Sequence, residues 1–176
     1  SFFCPPIGWI YDVKSNVLNP LDYTVSQIDP TKYQVLYCKY KTKDSTEIPI
    51  YIAYKKDTKI DGSAPCLLES YGGYGIYPKP YFRDGLSSFL DRGGVYAFAN
   101  VRGGDYIRKG WHETGALLNK QNSFDDFFMA AKYLVEHKYA HPKRLAITGI
   151  GHGGLVVAAS VNQHPEMYRV AIPQFG

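Results

Sequence analysis

With 176 residues, 45% of them hydrophobic and 15% aromatic, the chain is long enough to bury one core and too apolar for a disordered polypeptide. Twenty basic residues against sixteen acidic ones leave a net charge of +4, yet the lysines (Lys39, Lys41, Lys43, Lys55, Lys56, Lys132, Lys138) are dispersed, which argues against the concentrated patch that nucleic acid requires. No apolar run approaches a membrane span, and three widely spaced cysteines, Cys4, Cys38 and Cys66, form neither a disulfide framework nor a metal-site pattern.

In chain order, residues 1–25 read as a short strand and turns around Pro5-Pro6, Trp9-Ile10-Tyr11 and Asn19-Pro20. Residues 33–40 and 48–54 alternate as strands do, and the polar stretch 42–46 between them predicts a hairpin. Residues 66–71 and 94–100 are short apolar runs of the kind buried in a parallel sheet, with a helix over 86–90 closed by Gly93-Gly94. The clearest helix covers 123–137, where Phe124, Phe127, Phe128, Ala131, Leu134 and Val135 make one apolar stripe. Ser123 is expected to cap it, with Asp125 and Asp126 facing the positive end of its dipole. Strands over 145–148 and 168–173 flank a helix over 155–161. A hairpin leading into strands separated by helices is an α/β arrangement.

The run from Leu145 to Ala158 carries most information, because a β-rich segment meets a glycine turn and a small-residue helix follows at once. That is the frame of a nucleophile elbow, G-x-S-x-G, with Gly149, Gly151 and Gly153 on the glycine-and-serine frame and Gly151 where serine would stand. Gly149, Gly151 and Gly154 also match the dinucleotide fingerprint G-x-G-x-x-G, although no carboxylate ends the next strand to hold a ribose. A hydrolase elbow, a nucleotide turn and a structural turn all fit this local pattern.

Four further segments accompany it: Tyr71-Gly-Gly-Tyr74, Asn100-Val-Arg-Gly-Gly104, Gly110-Trp-His112 and Asn119-Lys-Gln-Asn-Ser-Phe-Asp-Asp-Phe127. In this order, and with Pro142-Lys-Arg-Leu145 ahead of the elbow, the chain from about Asp29 to Gly176 resembles the peptidase domain of the prolyl oligopeptidase family. The resemblance implies the first part of an α/β-hydrolase sheet over residues 26–176, preceded over 1–25 by the end of a β-propeller. It also implies a cytoplasmic, monomeric serine endopeptidase that cleaves short peptides after proline, without cofactor or metal. A serine first residue and the lack of any Asn-x-Ser/Thr sequon fit a piece of such a protein.

The resemblance implies roles residue by residue. The family's elbow reads Gly-Gly-Ser-Asn-Gly-Gly where this chain reads Gly149-Ile-Gly-His-Gly-Gly154, so the nucleophile position is Gly151. The oxyanion donors map onto the backbone N–H of His152 and the hydroxyl of Tyr71, and Tyr74 takes an aromatic position lining the proline pocket. The family's aspartate and histidine lie beyond Gly176, and none of His112, His137, His141, His152 and His164 stands in the histidine's place. Arg102 is expected to hold its loop by pairing with a carboxylate, with Trp111 and His112 as support. The chain alone is therefore expected to be poorly soluble and without post-proline activity. A pseudo-peptidase that binds peptides or a partner is the alternative, and a nucleotide module a remote one.

Overall fold

The computed structural model describes residues 2–23, 26–105 and 110–176. Its first element is a hairpin of β1 (Ile7–Asp12) and β2 (Val17–Tyr23), which forms a two-stranded sheet of its own. The Asp12 carboxylate accepts the N–H groups of Lys14 and Ser15, and Asn16 takes a left-handed conformation to close the turn. Sequence reading expected one strand here; the second is missed because Asn19-Pro20 reads as a turn although Pro20 sits opposite Trp9 at a register shift. Ile7, Trp9, Ile10, Tyr11 and Leu18 all remain exposed on this hairpin.

The main sheet starts with a second hairpin, β3 (Tyr33–Lys41) and β4 (Glu47–Lys55), paired antiparallel from Tyr33–Lys55 to Lys41–Glu47. β5 (Cys66–Ser70), β6 (Val95–Ala99), β7 (Leu145–Ile150) and β8 (Val170–Gln174) complete six strands in the order β3-β4-β6-β5-β7-β8. β5, β6, β7 and β8 run parallel to one another, and β4 joins β6 antiparallel. β6 is buried at every position, which explains its unbroken apolar run.

One face of the sheet packs on α2 (Gln121–Glu136) and α3 (His152–Gln163), through Phe127, Ala131, Leu134, Val156 and Val157. The other face packs on α1 (Asp84–Leu90) and on Phe2 and Phe3, the latter stacked on Tyr33 at 4.3 Å. Buried Glu69 is satisfied there by a bidentate Arg83 at 2.5 and 2.7 Å and by the Tyr96 hydroxyl at 3.0 Å.

Two helix starts differ from expectation. α2 begins at Gln121, so Ser123 lies inside its first turn, where its buried hydroxyl donates to the Arg102 carbonyl at 2.5 Å instead of capping. Asp126 is likewise buried and serves no dipole role. α3 begins at His152 and not at 155, because the paired glycines, poor helix formers in isolation, are held helical by contact with β5 and β8.

Among the described residues β8 forms one edge of the sheet, with Ile172 45% exposed and no charged residue along its length. Such an edge templates association. Ile172→Lys is expected to suppress concentration-dependent light scattering of the chain, and unchanged scattering would show that association proceeds elsewhere.

Candidate active site at the strand–helix corner

β7 carries Leu145 and Ile147 through the core and ends where the chain reverses at Gly151, with φ +58° and ψ −119°. α3 starts on the next residue. Three glycines make this corner possible by contact. A Cβ on Gly149 would overlap the Gly153 backbone, one on Gly153 would fall on the Ser70 carbonyl, and one on Gly154 would stand 2.8 Å from the Gln174 oxygen. Gly151 is different. A Cβ built there meets only the Tyr71 ring, at 4.0 Å, an ordinary van der Waals distance. Its positive φ favours glycine, but there is space for a side chain.

The residues assigned by resemblance converge on this corner. Tyr71 follows β5, and its ring lies edge-on to the His152 imidazole at 6.1 Å. Tyr74, left-handed at φ +54° and 76% exposed, meets the same imidazole edge-on at 5.5 Å. The imidazole covers Gly73, where a Cβ would overlap the ring. As the first residue of α3, His152 has a backbone N–H without an intrahelical acceptor, at the positive end of a twelve-residue helix. Burial lowers the His152 pKa, with the nearby Lys120 charge adding to the shift and a hydrogen bond to the Gly72 backbone opposing it. Its Nε2 is buried without a hydrogen-bond partner among the described residues.

The loop after β6 supports the corner from beside it. Arg102 grips the fully buried Asp126 through Nε at 2.9 Å and Nη2 at 2.7 Å, and its backbone N–H adds a third bond at 3.0 Å. Its Nη1 reaches Asp44 in the β3–β4 turn at 2.6 Å. Burial pushes the Asp126 carboxyl up against the pull of Arg102. Burial acts the same way on Asp44, but hydrogen bonds from Thr42 and Arg102 outweigh it and hold that carboxyl well below the usual range. The loop then meets the turn carrying Tyr74. Gly75 N–H donates to the Gly103 carbonyl at 3.2 Å, and His112 Nδ1 lies 2.6 Å from the same oxygen.

Beside the corner lies a cavity of about 790 Å³, walled by Tyr74, His112, Leu117, Leu118, Lys120 and His152. Its lysine was not singled out from the sequence: nothing in Asn119-Lys-Gln-Asn122 signals that Lys120 Nζ meets the carbonyls of Gly72 and Gly115 and the Ser123 hydroxyl. Other histidines have local partners, His137 with the Tyr133 carbonyl, His141 with Lys143 N–H and His164 stacked on Phe128. Asp125 sits near the surface with Gln121 and Lys43. Among the described residues no group of three His, Cys, Asp or Glu is placed to hold a metal, and no helix is long and apolar enough to cross a membrane.

A mixed sheet with flanking helices and a glycine-turned strand-to-helix corner at the carboxyl ends of its parallel strands belongs to the α/β-hydrolase class. Within that class the chain belongs to the prolyl oligopeptidase family, a family of serine peptidases, whose model matches residues 80–176. Over all 176 residues it is 34% identical to the prolyl endopeptidase of Elizabethkingia meningoseptica, covering 25% of that protein. It is 38% identical over 98% of its length to the prolyl endopeptidase of Dictyostelium discoideum, covering 23% of it. Among solved structures, a prolyl endopeptidase at 43% identity superposes with a TM-score of 0.91 over 97% of the chain and 25% of its own. A post-proline cleaving enzyme from Rickettsia typhi, 30% identical, gives 0.91 over 98% of the chain and 25% of its own. The chain thus spans about a quarter of the length of the relatives it matches.

Two outcomes follow from the corner and its support. Gly151→Ser is expected to cost about 1–3 kcal/mol for its positive-φ backbone alone, whereas Gly153→Ala, which drives a methyl into the Ser70 carbonyl, costs about 3 kcal/mol or more. Urea denaturation of both variants decides the order. Arg102→Leu strands the Asp126 carboxylate in the core and is expected to lose about 3–5 kcal/mol in the same measurement.

Proposed function

We propose that this corner is the nucleophile elbow of a serine endopeptidase that cleaves short peptides after proline, and that the chain with Gly151 in that place does not turn over. The observation that carries the reading is the room at Gly151 for a side chain beside the Tyr71 ring, one residue before the free N–H at the head of α3. A nucleophile there would attack the proline's own carbonyl carbon, the acyl side of the bond that follows proline. The tetrahedral oxyanion would accept from the His152 N–H and the Tyr71 hydroxyl, and a preorganised pair of donors of this kind contributes about 3 kcal/mol or more of transition-state stabilisation. Tyr74, edge-on to His152 and largely exposed, offers an aromatic surface to the proline ring.

Relatives bear on the substrate class. Prolyl oligopeptidase B of Galerina marginata, 34% identical with a TM-score of 0.88, has been solved bound to a 25mer macrocyclization substrate. By that likeness the substrate class proposed for the present chain is proline-containing peptides.

Gly151 itself favours a second reading, a non-catalytic member that binds such peptides without cutting them. Losing the hydroxyl of a triad lowers turnover on the order of 10⁶-fold. The purified chain is expected to release no fluorophore from a blocked Gly-Pro amide. Hydrolysis that a serine-directed phosphonate abolishes would overturn the assignment of Gly151. Calorimetric titration with a blocked Gly-Pro peptide separates the readings: heat that Tyr74→Ala removes supports binding without cleavage, and no heat counts against it.

A further inference from the structure

Lys120 stands at the junction between a 3₁₀ turn (Leu117–Asn119) and α2. Its ammonium has three protons, and the structure supplies three acceptors: the Gly72 carbonyl at 2.7 Å, the Ser123 hydroxyl at 3.0 Å and the Gly115 carbonyl at 3.1 Å. All three are neutral, and none of these bonds goes to a carboxylate. The side chain is half-buried on the cavity wall, with its Nζ also 5.9 Å from the Phe124 ring centre.

The three acceptors belong to three separate segments. Gly72 lies in the turn after β5, one residue beyond Tyr71 and two before Tyr74. Gly115 belongs to the loop after Trp111, and Ser123 to the first turn of α2. These segments close around Gly103, where a Cβ would stand 2.5 Å from the Gly72 oxygen, 2.6 Å from that of Gly115 and 2.9 Å from the Ser123 hydroxyl. Carbonyl oxygens brought together around one glycine repel each other, and a shared cation relieves that repulsion. The turn's other ties are the Gly75 N–H, shared between the Gly103 carbonyl and His112 Nδ1, the Ile76 N–H on its own Gly73 carbonyl at 3.0 Å, and the Asp105 N–H on the Ile76 carbonyl at 3.1 Å.

We propose that Lys120 is a positioning residue of the candidate site, its ammonium fixing the Gly72 carbonyl and through it the places of the Tyr71 hydroxyl and the Tyr74 ring beside Gly151. This rests on the reading of Tyr71 and Tyr74 as ligand-facing residues. Burial draws the Lys120 pKa down to about 8 while Asp126 pulls the other way, so the ion is held mainly by its neutral acceptors. The same charge presses on the His152 imidazole, second to burial of the ring, so losing it at unchanged burial raises the His152 pKa.

The test uses the 176-residue chain with Lys120→Met, which keeps most of the apolar stem, and Lys120→Gln, which keeps an N–H donor. In the Met variant, amide exchange at Gly75 and Ile76 is expected to quicken by about tenfold or more relative to amides of β5, the factor that a hydrogen bond to a charged group contributes. The His152 titration midpoint, followed by NMR, moves upward in both variants. Affinity for a blocked Gly-Pro peptide falls in the Met variant and recovers in part in the Gln variant. Unchanged exchange at Gly75 and Ile76 in a folded variant overturns the proposal, as does faster exchange that leaves peptide affinity untouched. If the Met variant fails to fold, the same comparison of wild type with the Gln variant decides. A wild-type chain that binds no peptide removes the ligand-facing reading, and the exchange and titration results then still decide whether Lys120 holds the turn.

Discussion

The backbone of α3 touches the backbone of β5 at one point, Gly153 against the Ser70 carbonyl, with no room for a methyl group between them. The arrangement of the corner depends on that approach. It brings the head of α3 up to the end of β5, so that the residue after β7 faces the residue after β5, and Gly151 and Tyr71 become neighbours although they lie eighty positions apart. Gly149 and Gly154 extend the same constraint along β7 and toward β8. A helix packed through side chains lies roughly 8–10 Å from what it packs against; here side chains are absent where the helix begins. The strained corner at Gly151 is the local cost of that closeness.

Electrostatics hold the other half of the site. Arg102 bonds Asp126 through side chain and backbone and Asp44 through its side chain, so the loop after β6 is tied at once to α2 and to the β3–β4 turn. The Arg102 and Asp126 charges lie almost wholly inside the protein, where geometry decides whether an ion pair is favourable, whereas Asp44 is half exposed. The planar guanidinium meets both oxygens of Asp126 in a forked arrangement that a lysine lacks. Gly103, directly after Arg102, then presents its carbonyl to the turn that carries Tyr74. Two turns bearing aromatic and polar side chains are thus placed by residues that need not touch a ligand.

How much of this was legible in the sequence differs from element to element. β3 was readable because its alternation reports burial directly, β6 because its unbroken apolar run does, and α2 because its stripe repeats at helical spacing; β4 was found as a strand although, lying between β3 and β6, it is buried on both faces and does not alternate. The corner was readable because glycine needed for contact leaves a spacing, Gly149 to Gly154, that survives in one dimension. Ser123 and Asp126 were misplaced for a common reason. Their polar side chains near a helix start look like caps, yet both are buried against Arg102, a partner more than twenty residues away that no local pattern announces. β2 was hidden by Pro20, and Lys120 by ordinary surroundings, since its three acceptors are mostly backbone carbonyls and carry no side-chain signal.

Phe2 and Phe3 sit in the core on the α1 face of the sheet, while Tyr33, which Phe3 stacks upon, opens β3. The β1–β2 hairpin lies between these two anchors and leaves and re-enters the sheet at nearly the same place. Both chain ends of the hairpin are thus anchored in a single aromatic cluster with Phe2, Tyr33 and Tyr96, on the face of the sheet opposite α2 and α3.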